Sequence, residues 1–231
     1  MRRTVSYNEI VGTVTKALFA LGAPPGVDSE NGKNIAWLQA HQLDGVEMLA
    51  REIQKISRIN EWPIPKKEYT SEGLSLTSTL VSSLALAQTG LDFVETGKTV
   101  SIKMCAAPLI FFAESARRAS KSKSFEIVLN SDNMTVKGIC KDDRATIDTG
   151  RALNFMTANI TIKQTVLNKQ TVLNRRASPN STENIYEHSL YNGMVVDDAH
   201  WDLITQISKK CLVPNNKYSR AGAGAEVDDS N

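Results

Sequence analysis

The change of hydrophobic period along the chain constrains its fold more than any other feature. Over the first ninety residues apolar side chains recur at helical spacing, as at Ile10, Val14 and Leu18. From Thr99 the period becomes two, because the apolar residues of 99–104 alternate with polar ones. A chain that places helices first and strands afterwards is typical of the α+β class.

The boundaries follow from capping and turn residues. The serine and glutamate of Ser6-Tyr7-Asn8-Glu9 fit a capping box. The predicted helices begin near Ser6, Asp28, Leu43, Leu74, Pro108 and Asp197, and the predicted strands are 99–104, 125–129, 134–139, 145–148 and 154–166. Residues 60–69 and 168–187 are predicted loops.

We therefore predict a single α+β domain over 1–231. An N-terminal helical bundle occupies about 1–92 and a mostly antiparallel β-meander about 93–190. A C-terminal helix with a small-residue tail completes the chain over about 191–231.

Composition excludes several functional classes. The net charge of +2 over 231 residues argues against a nucleic-acid binder, and the basic run Arg117–Lys123 has no interleaved aromatic residues. No continuous apolar segment predicts a membrane span or a signal peptide. Three widely spaced cysteines favour reduced thiols, so we expect a cytoplasmic protein.

Metal and cofactor motifs are missing from the sequence. His41, His188 and His200 lie in separate segments without ligand spacing, so no metal is expected. No strand precedes a Gly-x-Gly-x-x-Gly or P-loop motif, so no cofactor is expected either. Cys105 falls where a strand meets a helix whose dipole would lower its pKa, yet a buried structural cysteine is the favoured interpretation.

The C-terminal tail, 214–231, offers a candidate anion site. The guanidinium of Arg220 can bind a carboxylate or phosphate next to the Ser219 hydroxyl. Gly222 and Gly224 allow close approach of backbone amides. Asp228 supplies a carboxylate for proton transfer. On composition alone, however, a flexible terminus is favoured.

Two residues on the first helix form a second candidate. Glu9 and Lys16 are seven residues apart and lie opposite the apolar stripe. The default interpretation is a solvated face. If Glu9 and Lys16 instead face a pocket, they place an acid and a cation on the same side of that pocket.

Residues at both ends of the chain, taken together, resemble a known family. They are Ser6-Tyr7-Asn8-Glu9-Ile10, Lys16-Ala17, Gly22, Gly26, Trp37-Leu38 and Leu43-Asp44-Gly45 at the start, and Trp201, Val213-Pro214, Ser219-Arg220, Gly222-Ala223-Gly224-Ala225 and Asp228 at the end. This combination resembles the uncharacterised bacterial family called domain of unknown function 3726. The chain departs from that pattern at Asn215-Asn216 and in its last four residues.

The resemblance implies a bacterial cytoplasmic protein connected with small-metabolite catabolism, and it supports a functional tail. Our first hypothesis is a cofactor-independent hydrolase or lyase of a small carboxylate-bearing metabolite. Arg220 would hold the carboxylate, and Asp228 or His188 would move the proton. The alternative is a non-catalytic binding or assembly protein whose tail docks into a partner subunit. The expected partner is a small anionic metabolite, with no nucleic acid and no membrane; a homo-oligomer is left open.

Overall fold

The computed structural model describes residues 1–71, 73–120, 122–131, 134–142, 144–147, 156–165 and 182–211. The helices are α1 (Tyr7–Ala20), α2 (Val27–Ala40), α3 (Gly45–Ile59), α4 (Ser83–Glu95), α5 (Leu109–Arg118), α6 (Thr182–Asn192) and α7 (Asp198–Ser208). The strands are β1 (Arg2–Val5), β2 (Lys66–Thr70), β3 (Gly73–Thr77), β4 (Val100–Ala106), β5 (Ser124–Ser131), β6 (Met134–Lys141), β7 (Arg144–Ile147), β8 (Thr157–Thr165) and β9 (Met194–Asp197). The predicted α+β class, with helices first and a mostly antiparallel sheet, is confirmed.

Seven strands form the main sheet in the order β2-β3-β4-β8-β5-β6-β7. The pair β3–β4 is parallel, and the other described pairs of this sheet are antiparallel. The predicted meander holds for β5-β6-β7. The prediction of a meander is wrong for β8, which lies between β4 and β5. Ile160 and Ile162 of β8 pair with apolar residues on both of these neighbours.

One face of the sheet carries the core. Phe125, Ile127 and Leu129 alternate along β5 and are fully buried, as a period of two requires. Helices α4 and α5 pack on this face, and Phe111 and Phe112 of α5 are likewise excluded from solvent. Burial of these side chains stabilises the fold by about 1.5–3 kcal/mol each before entropy costs.

The remaining helices form a second layer around α1 and α2, edged by a small ribbon. Strands β1 and β9 pair antiparallel, which brings the N-terminal residues against the segment before α7. The predicted capping box is present, because Ser6 Oγ accepts from the Glu9 amide at 3.2 Å. Asp197 caps α7 through the amides of Ala199 and His200, as expected from the sequence.

The segment 74–87 differs from the prediction of a single helix. It contains β3, with Leu74 and Leu76 alternating into the core, followed by a helix that starts only at Ser83 and continues to Glu95. Local propensity is overridden here, since β3 pairs with β2 on one side and with β4 on the other. The predicted loop 60–69 likewise contains most of β2, and the predicted loop 168–187 overlaps the start of α6.

The basic residues at the end of α5 have a structural role. Glu114, 1% exposed, accepts hydrogen bonds from Asn34 Nδ2 and Arg118 Nε, each at 2.6 Å. Arg117 pairs with Glu30 of α2 at 2.6 Å. These contacts hold α5 against α2, so Arg117 and Arg118 of the basic run serve helix packing. Among the described helices none is long and apolar enough to cross a bilayer.

Candidate functional site

The tail residues Ser219, Arg220, Gly222, Gly224 and Asp228 lie outside the described residues. Their proposed role in anion binding therefore stays a prediction.

The three other predicted site residues are exposed on two helices. Glu9 lies in the first turn of α1, where its Oε2 accepts from the Ser6 amide at 3.4 Å. Lys16 is about 10 Å further along the same helix. His188 is exposed on α6. Among the described hydrogen bonds and ion pairs, none joins these side chains to one another, and their functional assignment stays a prediction.

A different place in the fold concentrates irregular backbone: the end of β4 beside the start of β8. The register changes from Ile102↔Ile160 to Cys105↔Ala158, so that two residues of β4 oppose the single residue Asn159. This is a β-bulge, a feature that frequently lies beside functional sites.

The bulge is held in an uncommon backbone conformation. Met104 has φ of 50°, in the left-handed region, and its amide donates to Asn159 Oδ1 at 2.9 Å. Ala107, just past the strand, has φ of 52° and donates to the Met156 carbonyl at 3.3 Å. Non-glycine residues in this region each cost roughly 1–3 kcal/mol, and such strain clusters at binding and catalytic sites.

Helix α3 places an ion pair beside Met156, the residue that precedes β8. Arg51 Nη1 donates to the Met156 sulfur at 3.1 Å, and Nη2 contacts the Glu47 carboxylate one turn earlier in the helix. The side chains of Arg51 and Glu47 are 42% and 38% exposed. Met104 and Met156 are also largely exposed. We call Glu47, Arg51, Met104, Met156 and Asn159 the α3–β4 junction.

A buried polar layer lies on the inner side of this junction. Glu52 is 2% exposed; its Oε1 accepts from Lys55 Nζ at 2.6 Å, and its Oε2 has no hydrogen-bond partner among the described residues. Cys105 Sγ lies 3.3 Å from Ser83 Oγ at the start of α4. The Ser83 hydroxyl and the Cys105 thiol thus meet where α4 begins beside β4, and the charge of Glu52 on α3 acts on that thiol.

The environment of Cys105 makes its thiol inert. Burial raises the thiol pKa to about 12; the hydrogen bond with Ser83 opposes the rise, and the charge of Glu52 adds to it. A thiol with this pKa is protonated at neutral pH and is a poor nucleophile. The buried position of Cys105 agrees with the structural interpretation favoured from the sequence. In the described part of the chain, no three His, Cys, Asp or Glu side chains are grouped as metal ligands.

Sequence reasoning missed the junction. An arginine on the polar side of an amphipathic helix is ordinarily solvated, and nothing in the sequence near Arg51 indicates otherwise. The only local signal was the i,i+4 spacing of Glu47 and Arg51, and that spacing is common on solvated helices. Met156 is 105 residues away in sequence, so its contact with Arg51 depends on the tertiary fold.

Comparison with known proteins shows that the N-terminal part of the chain resembles a family model. The model described as "Protein of unknown function (DUF3726)" matches residues 5–87. The resemblance stated from the sequence is confirmed over those residues; the closing segment lies outside the match. No relative is found among curated protein sequences.

Solved structures share the fold across most of the chain. Malate dehydrogenase from Pyrococcus horikoshii OT3 is 9% identical with a TM-score of 0.65, covering 92% of this chain and 96% of that chain. Sulfolactate dehydrogenase from Methanocaldococcus jannaschii is 8% identical with a TM-score of 0.60, covering 90% and 97%. Delta1-piperideine-2-carboxylate reductase from Pseudomonas syringae pvar. tomato is 10% identical with a TM-score of 0.52, covering 89% and 99%. At these identities the likeness concerns the fold.

These matches correct the functional hypothesis. The predicted cofactor-independent hydrolase or lyase is wrong, because the fold is that of enzymes named dehydrogenases and a reductase. The prediction failed because an arginine beside glycines indicates only that an anion is bound, and many unrelated reactions bind anions.

Proposed function

We propose that this protein is an oxidoreductase acting on a small carboxylate-bearing metabolite, and that Arg51 binds the carboxylate. The observation that carries the proposal is the position of the Arg51 guanidinium, half-exposed against Met156, just before the start of β8 and beside the strained end of β4. Malate and sulfolactate, named for two proteins of this fold, are both anionic hydroxy acids, which supports the substrate class.

The junction offers three kinds of contact to such a substrate. The planar guanidinium of Arg51 matches the two oxygens of a carboxylate. The exposed side chains of Met104 and Met156 supply adaptable apolar surface for a short carbon skeleton. Asn159 Oδ1 accepts a hydrogen bond from the Met104 amide. The side-chain nitrogen of Asn159 is then left to donate to a hydroxyl or carbonyl oxygen of the substrate.

Oxidation of an alcohol also requires a hydride acceptor, and two glycines of the main sheet, Gly73 and Gly138, do not fit the glycine-rich phosphate turn of a nicotinamide dinucleotide. A Cβ added at Gly138 would lie 2.0 Å from Phe112 Cε1, and one at Gly73 would lie 2.3 Å from the Thr99 carbonyl oxygen. The chain itself fills the space beside these glycines, so they form no phosphate cradle. The residues of the junction are therefore assigned to binding and orienting the substrate, and no hydride step is assigned to them.

Binding is tested by calorimetric titration of L-malate, sulfolactate and succinate into the wild type and Arg51→Gln. A charge-assisted carboxylate contact of this kind is worth about 1.5–3 kcal/mol, so the variant should bind roughly 10- to 100-fold more weakly. Arg58→Gln is the matched control, because Arg58 is exposed on the same helix two turns away. Equal affinities of Arg51→Gln and wild type would contradict the assignment of Arg51.

Turnover is tested separately with the same hydroxy acids and an artificial electron-accepting dye. Each oxidised alcohol gives up two electrons to the dye and two protons, and becomes a keto acid. We expect the wild type to reduce the dye with at least one hydroxy acid and Arg51→Gln to show a raised KM. If no hydroxy acid is oxidised with the dye or with added nicotinamide nucleotides, the oxidoreductase proposal is wrong.

A further inference from the structure

The Arg51 guanidinium already contacts a carboxylate that belongs to the protein. Its Nη2 faces Glu47, and its Nη1 faces the sulfur of Met156, a weak acceptor. The two nitrogens of the fork are thus divided between two different groups. An incoming carboxylate cannot take both nitrogens while the Glu47 contact persists.

The helix keeps this internal carboxylate in place. Glu47 and Arg51 are separated by four residues of α3, so their side chains lie one above the other on the same face. The acid precedes the base along the helix, which is the more favourable order. Glu47 also lies in the first turn of α3, where the helix dipole stabilises a negative charge.

The contact is nevertheless weak enough to be displaced. Both side chains are about two-fifths exposed, so solvent screens their attraction and the pair contributes little free energy. Glu47 makes a single described contact with the Arg51 guanidinium. A free carboxylate that binds both guanidinium nitrogens makes two parallel hydrogen bonds and is therefore held more strongly.

We propose that Glu47 is an internal competitor for the substrate-binding Arg51: its carboxylate occupies the guanidinium in the unliganded protein, and the substrate must displace it. This inference rests on the proposed function. Glu47 then determines specificity, because only an anion that binds Arg51 more strongly than Glu47 does can displace it. Substrates that bind both guanidinium nitrogens are favoured over weaker anions that form one hydrogen bond. It also shields Arg51 from adventitious anions at low concentration.

A purely structural role for the pair makes a different prediction. If Glu47 only stabilises α3, replacing it lowers the stability of the helix and leaves the affinity for anions unchanged or reduced. If Glu47 competes with the substrate, removing its charge raises that affinity.

The experiment is a calorimetric titration of L-malate into four proteins: wild type, Glu47→Gln, Arg51→Gln and Glu68→Gln. Glutamine keeps the size of Glu47 and removes its charge. Glu68→Gln removes the same charge from an exposed position on β2 and controls for a change in net charge. Urea unfolding of each variant checks that all four are folded.

We expect Glu47→Gln to bind L-malate about threefold to fivefold more tightly than the wild type, as the loss of an exposed ion-pair competitor implies. Arg51→Gln should lose binding, and Glu68→Gln should match the wild type. Measurable L-malate binding by Glu47→Gln, with no binding detected for the wild type, would also support the inference.

Three results would overturn the inference. If Arg51→Gln loses binding but Glu47→Gln binds no more tightly, the competitor role is wrong and the proposed function stands. Equal tightening by Glu68→Gln would assign the effect to net charge. If Arg51→Gln binds as the wild type does, or if neither the wild type nor Glu47→Gln binds, the proposed role of Arg51 fails together with the inference.

Discussion

The thiol of Cys105 lies 3.3 Å from the hydroxyl of Ser83, and both side chains are buried where β4 meets the start of α4. Burial raises the Cys105 pKa to about 12 and also raises that of Cys140 above its usual range. Cys211 is half-buried at the end of the described chain.

From this arrangement we expect iodoacetamide to alkylate Cys211 in the native protein at pH 8 and to spare Cys105 and Cys140, since the thiolate is the reacting species. Mass spectrometry of peptides before and after unfolding in urea measures the labelling. All three cysteines should react after unfolding. Alkylation of Cys105 at the rate of Cys211 in the folded protein would contradict the buried position.

Glu9 offers a test that separates capping from ligand binding. Its side chain closes the capping box with Ser6, and glutamine can make the same contact. Ser6→Ala should therefore lower the free energy of unfolding by about 1 kcal/mol, measured by urea denaturation, while Glu9→Gln should change it little. A loss of L-malate binding in Glu9→Gln at unchanged stability would support the site role predicted from the sequence.

Two glycines should respond oppositely to replacement by alanine. At Gly138 the new Cβ would overlap the Phe112 ring, 2.0 Å from Cε1, so we expect a loss of about 1–3 kcal/mol or more from overpacking. At Gly12, within α1, nothing lies within 4 Å of the new Cβ. Alanine is the better helix former there and should stabilise the protein by about 0.5–1 kcal/mol. Urea unfolding of both variants measures the difference; a stabilising Gly138→Ala would show that α5 and β6 pack less closely.

His41 gives a pH prediction. Its ring stacks between Trp37 and Tyr186 at centroid distances of 3.9 Å and 4.7 Å. Burial lowers the His41 pKa below its ordinary 6.5, and the hydrogen bond to the Trp37 carbonyl only partly opposes this. The unfolded chain therefore takes up the proton first as the pH falls. The stability that neutral His41 contributes is present above pH 6.5 and is lost as the pH drops below it.

The measurement is an NMR titration of the histidine Cε1 proton in the wild type and in Tyr186→Leu. The variant opens one face of the ring, so its His41 pKa should rise towards 6.5. Urea unfolding at pH 7 and pH 5 should show a smaller acid-induced loss of stability in the variant. Titration of wild-type His41 at or above 6.5 would contradict the prediction.

Features that depend on neighbours within four residues were predictable from the sequence. The capping box of α1 and the Asp197 cap of α7 are of this kind, because the groups that satisfy each other are adjacent along the chain. The alternation of β5 and β6 was also readable, since each strand has one buried face.

Features that depend on distant pairing were not predictable. The alternation of Leu74 and Leu76 with polar residues is too short a run to exclude a helix, and pairing with β2 and β4 forms the strand. The register shift at Met104 depends on which strand lies beside β4, and that strand is β8, more than fifty residues later.

The amino-acid sequence by itself determined the α+β class, the helix starts at Ser6 and Asp197, and the family resemblance confirmed over residues 5–87. Only the tertiary structure decided which charged residue belongs to a candidate site. Arg51 looks like any solvated arginine on its own helix, because the sequence records local spacing but not the distant strand ends that converge on it. Its significance arises where Arg51 contacts Met156, whose carbonyl accepts from Ala107 at the end of β4, a juxtaposition produced by folding.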